Sequence, residues 1–145
     1  MVTLAADGSP ERVLDSAELP SGTYYKEASQ VWVDPQERFV FVATSGVYYP
    51  EQTSHLWGFR IEDGGWLTYL PEASALDIVI DVEAVAGEPS GRFLYIGNSF
   101  RIAGFEIDGE NEALWPLPGS PYHTETDPFR YHGRGFALVT SEAGG

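Results

Sequence analysis

Cysteine is absent from the 145 residues, which excludes disulfides, thiolate metal sites and thiol catalysis. Lysine occurs once, as Lys26, and the eight Lys and Arg together face 22 Asp and Glu for a formal net charge of −14. A field of that sign repels phosphate backbones and acidic headgroups, so no nucleic-acid partner and no docking on anionic lipid is expected. Apolar runs are short: none approaches the ~18 residues that cross a bilayer as a helix, so membrane insertion is not expected. The opening MVTLAADGSP carries neither the basic segment nor the apolar core of a secretory signal, which predicts a soluble chain without fixing its compartment. Helical periodicity is missing as well, since Glu11–Glu18 is hemmed in by Pro10 and Pro20. What is present is 43% hydrophobic and 14% aromatic residues, enough apolar surface for a core of its own.

Internal self-similarity organises the chain. Asp34-Pro35-Gln36-Glu37-Arg38-Phe39-Val40-Phe41-Val42 returns as Glu88-Pro89-Ser90-Gly91-Arg92-Phe93-Leu94-Tyr95-Ile96, 54 residues on. Trp57-Gly58-Phe59-Arg60-Ile61-Glu62-Asp63 returns as Ala103-Gly104-Phe105-Glu106-Ile107-Asp108-Gly109, 46 residues on. The eight-residue difference falls in one place, a longer loop between Thr44 and His55 in the first copy. A partial third copy reads Phe136-Ala137-Leu138-Val139-Thr140, 43 residues after Phe93.

Alternating apolar residues predict four short strands per copy. In the first they fall at about Ser29–Val33, Arg38–Thr44, His55–Ile61 and Trp66–Leu70. In the second they fall at about Val82–Ala86, Arg92–Gly97, Phe100–Ile107 and Ala113–Leu117. Glu62-Asp63-Gly64-Gly65 and Asp108-Gly109-Glu110-Asn111 supply hairpin turn chemistry. Four antiparallel strands repeating every 40–50 residues are the pattern of β-propeller blades, so the expected fold class is all-β. Residues 1–20 read as the end of one blade, 29–71 and 82–118 as two full blades, and 127–141 as the start of another. Such a chain leaves its ring incomplete. Its expected partner is another copy of itself completing the blades, or the rest of a longer propeller.

The second copy carries a family resemblance. Pro89-Ser90-Gly91-Arg92-Phe93-Leu94-Tyr95-Ile96-Gly97-Asn98 leads into Phe105-Glu106-Ile107-Asp108. Ala113-Leu114-Trp115-Pro116-Leu117-Pro118-Gly119-Ser120-Pro121-Tyr122 follows. In that order these segments resemble the lactonase-type seven-bladed β-propeller family, which includes 6-phosphogluconolactonase-like proteins, fungal muconate-cyclising-like proteins and relatives with YVTN-like repeats. The resemblance runs over about Val31–Tyr122. It implies blade architecture, and it implies chemistry less directly, because folds of this kind serve both enzymes and binders.

In such an architecture the loops from second to third strand and from fourth strand to the next blade share one rim. The candidate catalytic residues are His55 and His123 there, with Arg130 and His132 on the expected inner strand of the further blade. Histidine would serve as general base and arginine as oxyanion stabiliser during lactone opening. Tyr48, Tyr49, Asn98 and Arg101 are the ligand-binding candidates on the same loops. The plainer reading of all of them is a polar rim with aromatic loop tips.

Leu76-Asp77-Ile78-Val79-Ile80-Asp81-Val82-Glu83 alternates over eight positions. On an extended chain this puts Asp77, Asp81 and Glu83 on one face, as candidate oxygen ligands for Ca²⁺ or simply as a solvated face. No cofactor is otherwise required. Trp32, Trp57, Trp66 and Trp115 are expected in strands, packing between blades. Of two functions, a non-catalytic binding or scaffold module is set first and a lactone hydrolase second, because no nucleophile elbow, phosphate loop or zinc spacing occurs.

Overall fold

A computed structural model describes residues 2–13, 26–46, 54–76, 82–98 and 101–123. The described residues are all-β. A small hairpin pairs β1 (Val2–Leu4) with β2 (Pro10–Val13). The first repeat forms a four-stranded antiparallel meander of β3 (Lys26–Val33), β4 (Phe39–Gly46), β5 (His55–Ile61) and β6 (Leu67–Leu76). The second forms β7 (Ala84–Gly87), β8 (Phe93–Gly97), β9 (Arg101–Asp108) and β10 (Ala113–Pro116), with β11 (Tyr122–His123) also on β9. These are open sheets of four and five strands, consistent with incomplete blades. Strand order matches the sequence expectation throughout, with β3 and β6 longer than the apolar alternation alone indicates.

The fourth strand differs between the repeats for a chemical reason. In the first sheet β6 is a single strand to Leu76 even though its pairing with β5 skips residues 71–74, whereas Pro116, Pro118 and Pro121 remove donors from the second and split its edge into β10 and β11. Both sheets nevertheless solve one local problem identically. The Gly58 N–H donates to Ser74 Oγ at 3.0 Å, beside a register shift between Leu56 and Gly58. The Gly104 N–H donates to Ser120 Oγ at 3.1 Å, 46 residues further on for both partners. A hydroxyl thus stands in for a backbone acceptor where the ladder is interrupted.

The two sheets stack face to face, β3 against β7 and β6 against β10. Trp32, Phe39, Phe41, Ala43, Leu56, Leu70 and Ala73 from one meet Val82, Val85, Leu94, Ile96, Ala103, Phe105, Ile107 and Leu114 from the other. Each large side chain buried here contributes about 1.5–3 kcal/mol. Gly87 makes the closest approach: a Cβ there would lie 2.0 Å from Trp32 Cζ2. A second apolar cluster, Val40, Trp57 and Phe59 with Val42, Ile61, Leu67 and Tyr69, occupies the far face of the first sheet.

Polar contacts close the seam at its turn end. Buried Asp34 accepts from Arg38 Nε at 2.7 Å and from Arg38 Nη2 at 3.2 Å, and the same Nη2 donates to the Gly91 carbonyl at 3.2 Å. Gln36 Nε2 donates to the Ser90 carbonyl at 2.9 Å. At the β5–β6 turn Arg60 pairs with both Glu62 and Glu112. The expectation that all four tryptophans pack between sheets is corrected here. Trp32 does, and Trp57 is buried on the far face, donating Nε1–H to Thr44 Oγ1 at 2.9 Å. Trp66, just before β6, and Trp115, on β10, are each 58% exposed, because alternation places a residue on a face without deciding whether that face is covered.

Gly87→Ala should lower stability by about 1–3 kcal/mol through overpacking, read as a lower urea midpoint at unchanged slope. Trp32→Phe in the same chain should recover part of that loss. Arg38→Ala should cost on the order of 2–3 kcal/mol, because it leaves the buried Asp34 carboxylate without the guanidinium and with the residue-38 backbone N–H still donating to it. Asp34→Asn in the Arg38→Ala background should return part of it.

Candidate functional site

One end of the two sheets gathers the chemistry-bearing residues that the sequence singled out, insofar as they are described. The end of β4 and the start of β5 meet there, Thr44 opposite His55, with Leu76 at the end of β6 on the other side of His55. In the second sheet Gly97 pairs with Ile102, and His123 pairs with Arg101. Two hydrogen bonds show that these ends lie on the same side of the molecule. Val82 N–H, entering the second sheet, donates to Ser54 Oγ at 3.2 Å, and Ser29 Oγ reaches the Val82 carbonyl at 3.4 Å.

Arg101 and His123 are direct cross-strand neighbours, both exposed, and such neighbours sit within side-chain reach of one another. Asn98 shapes the turn that delivers Arg101. Its Oδ1 accepts from the Arg101 N–H at 3.0 Å, and its own N–H donates to the Arg101 carbonyl at 3.0 Å. The residue therefore works first as a turn former, using the local side-chain-to-backbone bonding that asparagine favours. Glu83 enters alongside, its N–H donating to the Gly97 carbonyl at 2.9 Å. Asn98, Arg101, His123 and Glu83 thus lie at one end of the second sheet, Glu83 beside β8 and the Arg–His pair on β9 and β11.

His55 stands apart from them. It is buried and meets Trp57 edge-on, ring centroids 5.6 Å apart at 85°. It occupies the repeat position of Arg101, 46 residues earlier, yet its ring belongs to the packed far face of the first sheet. Tyr48, Tyr49, Asp77, Asp81, Arg130 and His132 lie outside the described residues. Of the three expected Ca²⁺ ligands only Glu83 is described, half-buried and outside β7. Among the described residues no group of three His, Asp or Glu is placed to hold a metal ion.

Sequence reasoning passed over Ser29 and Ser54, whose hydroxyls join the two sheets at this rim. It also passed over the Asp34–Arg38 clamp at the opposite end. The signal for the clamp was present in the repeat, where an acid, a proline and an arginine recur as Asp34-Pro35…Arg38 and Glu88-Pro89…Arg92. Nothing marks Ser54 in the sequence, because its role depends on Val82, 28 residues away.

The chain is similar to bacterial 6-phosphogluconolactonases. It is 35% identical over 83 residues to a protein of that name from Enterobacter sp. (strain 638), an overlap of 52% of this chain and 24% of that one. The Cronobacter sakazakii protein is 36% identical over 83 residues, covering 52% and 23%. That of Yersinia pestis (strain Pestoides F) is 37% identical over 82 residues, covering 52% and 23%. The chain thus matches about a quarter of the length of these curated relatives. No protein-family model and no solved structure matches it. No helix among the described residues is long and apolar enough to cross a membrane.

Replacing Asn98 by Ala should loosen the 98–101 turn by about 1 kcal/mol, the usual net value of such a hydrogen bond. Amide exchange at Arg101 should speed up accordingly, while Asn98→Asp, which keeps the acceptor, should leave it near the parent rate.

Proposed function

We propose that this chain is a portion of a lactone hydrolase of the 6-phosphogluconolactonase kind, and that the Asn98–Arg101–His123 edge faces its substrate. The observation that carries the reading is the 35% identity over 83 residues to proteins named for that reaction. Those names favour hydrolysis over the non-catalytic scaffold role that the sequence alone put first. In the same reading the two stacked sheets are neighbouring blades of a β-propeller whose other blades come from a longer chain. The pairing of β3 with β7 and β6 with β10 supports it, since successive blades stack like strand on like strand.

The chemistry asks little of the protein. A lactone is a cyclic ester, so a water oxygen adds to the carbonyl carbon, the carbonyl electrons move onto its oxygen, and the ring C–O bond then breaks as the carbonyl re-forms. His123 would accept the proton of the attacking water and return one to the departing ring oxygen. The Arg101 guanidinium, always charged, would stabilise the oxyanion between the two steps. Arg130 and His132 remain candidates for holding an anionic substituent of the substrate. Side chains and water suffice for this route, so no cofactor is invoked. Ca²⁺ bound by Asp77, Asp81 and Glu83 is a separate proposal, tested by the thermal shift that Ca²⁺ addition produces.

Hydrolysis of 6-phosphogluconolactone, followed by acid release above the spontaneous rate, tests the reading. His123→Ala and Arg101→Ala should each lower kcat/KM by roughly 100-fold, the usual worth of a positioned base or oxyanion donor. Turnover unchanged in both variants would reject this edge as the site, and no turnover in the parent would reject hydrolysis by this chain on its own.

A further inference from the structure

The seam between the two sheets carries a charge pattern that returns, altered, on the faces the seam leaves open. Inside the seam the first sheet offers Asp34, Arg38 and Arg60. The second offers the Gly91 carbonyl to Arg38 Nη2 at 3.2 Å, the Gly109 backbone close to Arg38 Nη1, and Glu112 to Arg60. Two arginines therefore meet three carboxylates, Asp34, Glu62 and Glu112, and both of the nearest opposing turn positions are uncharged glycine.

The repeat assigns a counterpart to each of these residues. Shifted by 54 and 46 positions, Asp34, Arg38 and Arg60 become Glu88, Arg92 and Glu106 on the second sheet. Arg92 there is 64% exposed at its side chain and pairs with Glu106 at 2.9 Å. Glu88 is kept ionised by hydrogen bonds from the Ser90 side chain and from neighbouring backbone N–H groups, which hold its carboxyl below the ordinary value. In the other direction Gly91, Gly109 and Glu112 become Glu37, Asp63 and Trp66 on the first sheet. The backbone confirms the equivalence at the first of them, with Glu37 at φ +57° where Gly91 has φ +71°. Glu37, Asp63 and Trp66 are all exposed. They border the far face of the first sheet, where Val31 and Val33 are 59% and 48% exposed although Val40, Trp57 and Phe59 on the same face are buried.

Stacking a second copy on that far face, in the manner of the internal seam, would bring one arginine, Arg92, among four carboxylates: Glu88, Glu106, Glu37 and Asp63. The internal seam has one carboxylate in excess of its arginines where this stack has at least three, and like charges so juxtaposed oppose association. We infer that the far face of the first sheet is an interface for a different four-stranded sheet, one that brings cationic side chains to Glu37 and Asp63, and that a second copy of this chain is not that partner. The inference rests on the reading that these sheets belong to a longer series. Its readout is mass rather than turnover, so its failure is distinguishable from failure of the hydrolase reading.

The test gives the chain the cationic edge that it lacks. Glu106→Arg restores the charge found at Arg60, and Glu88→Gln removes a carboxylate while keeping an acceptor for Ser90 and Arg92. By light scattering on a sizing column at low salt, the parent should run at 15.9 kDa. The Glu88→Gln/Glu106→Arg chain should associate to at least twice that mass and fall back as salt is raised. Glu106→Arg alone, which leaves the turn untouched, should associate more weakly in the same sense. Adding Glu37→Lys and Asp63→Lys to the double variant should return it to single-chain mass. A parent that forms a salt-resistant dimer, a folded double variant that stays at single-chain mass, or association that survives Glu37→Lys/Asp63→Lys would each overturn the inference.

Discussion

The contact on which the rest of the structure depends is the apolar seam between the two sheets. Each four-stranded meander is one layer thick, and the larger of the two buried clusters forms only where one meander lies on the other. Phe41, Leu56, Leu94 and Ile96 reach full burial only because the opposite sheet covers them. That covering fixes the spacing of the sheets to what Trp32 demands, and Trp32 demands a residue without a Cβ at Gly87. Arg38 then ties the turn of one sheet to the Gly91 carbonyl of the next. The rim at the other end is positioned by the same stacking, since the Ser54–Val82 hydrogen bond forms only when the sheets are in register.

Two copies of one motif, stacked, need not stay alike. The features that the repeats keep are those that every copy must supply for itself: the Gly–Ser hydrogen bond across the ladder break, the left-handed residue before the second strand, the aromatic pair that opens that strand. The features that differ are those that meet a neighbour. His55 packs on Trp57 while Arg101, at the same repeat position, is exposed; Arg60 bridges to the next sheet while Glu106 turns to Arg92 of its own. Divergence therefore marks where each sheet meets a different environment.

Much of the fold was legible because strands announce themselves by a period of two and turns by glycine and acidic residues. The order of the strands in both sheets and the Glu62–Gly65 and Asp108–Asn111 turns follow from local chemistry. The coverage of a face does not. Trp66 and Trp115 alternate as buried residues would, yet stand in solvent, while His55, which reads as a rim residue, is sealed against an indole. The candidate edge was half legible: Asn98, Arg101 and His123 are each readable as loop residues, but the pairing of Arg101 with His123 depends on register, as that of His55 with Leu76 does in the first sheet. In both sheets the fourth strand leaves the ladder and rejoins the third at its first residues.

The rejoined edge also bears on where chemistry can sit. In the first sheet β6 likewise rejoins β5 after a break in the ladder, with Leu76 opposite His55, and the imidazole packs against Trp57. In the second sheet the interrupted edge brings a histidine back beside an arginine with both side chains in solvent. A base needs access to water, and an oxyanion donor needs to stand beside it. The same rim position therefore holds a buried histidine in one repeat and an exposed arginine beside a histidine in the other, and only the second meets those needs in the proposed hydrolase.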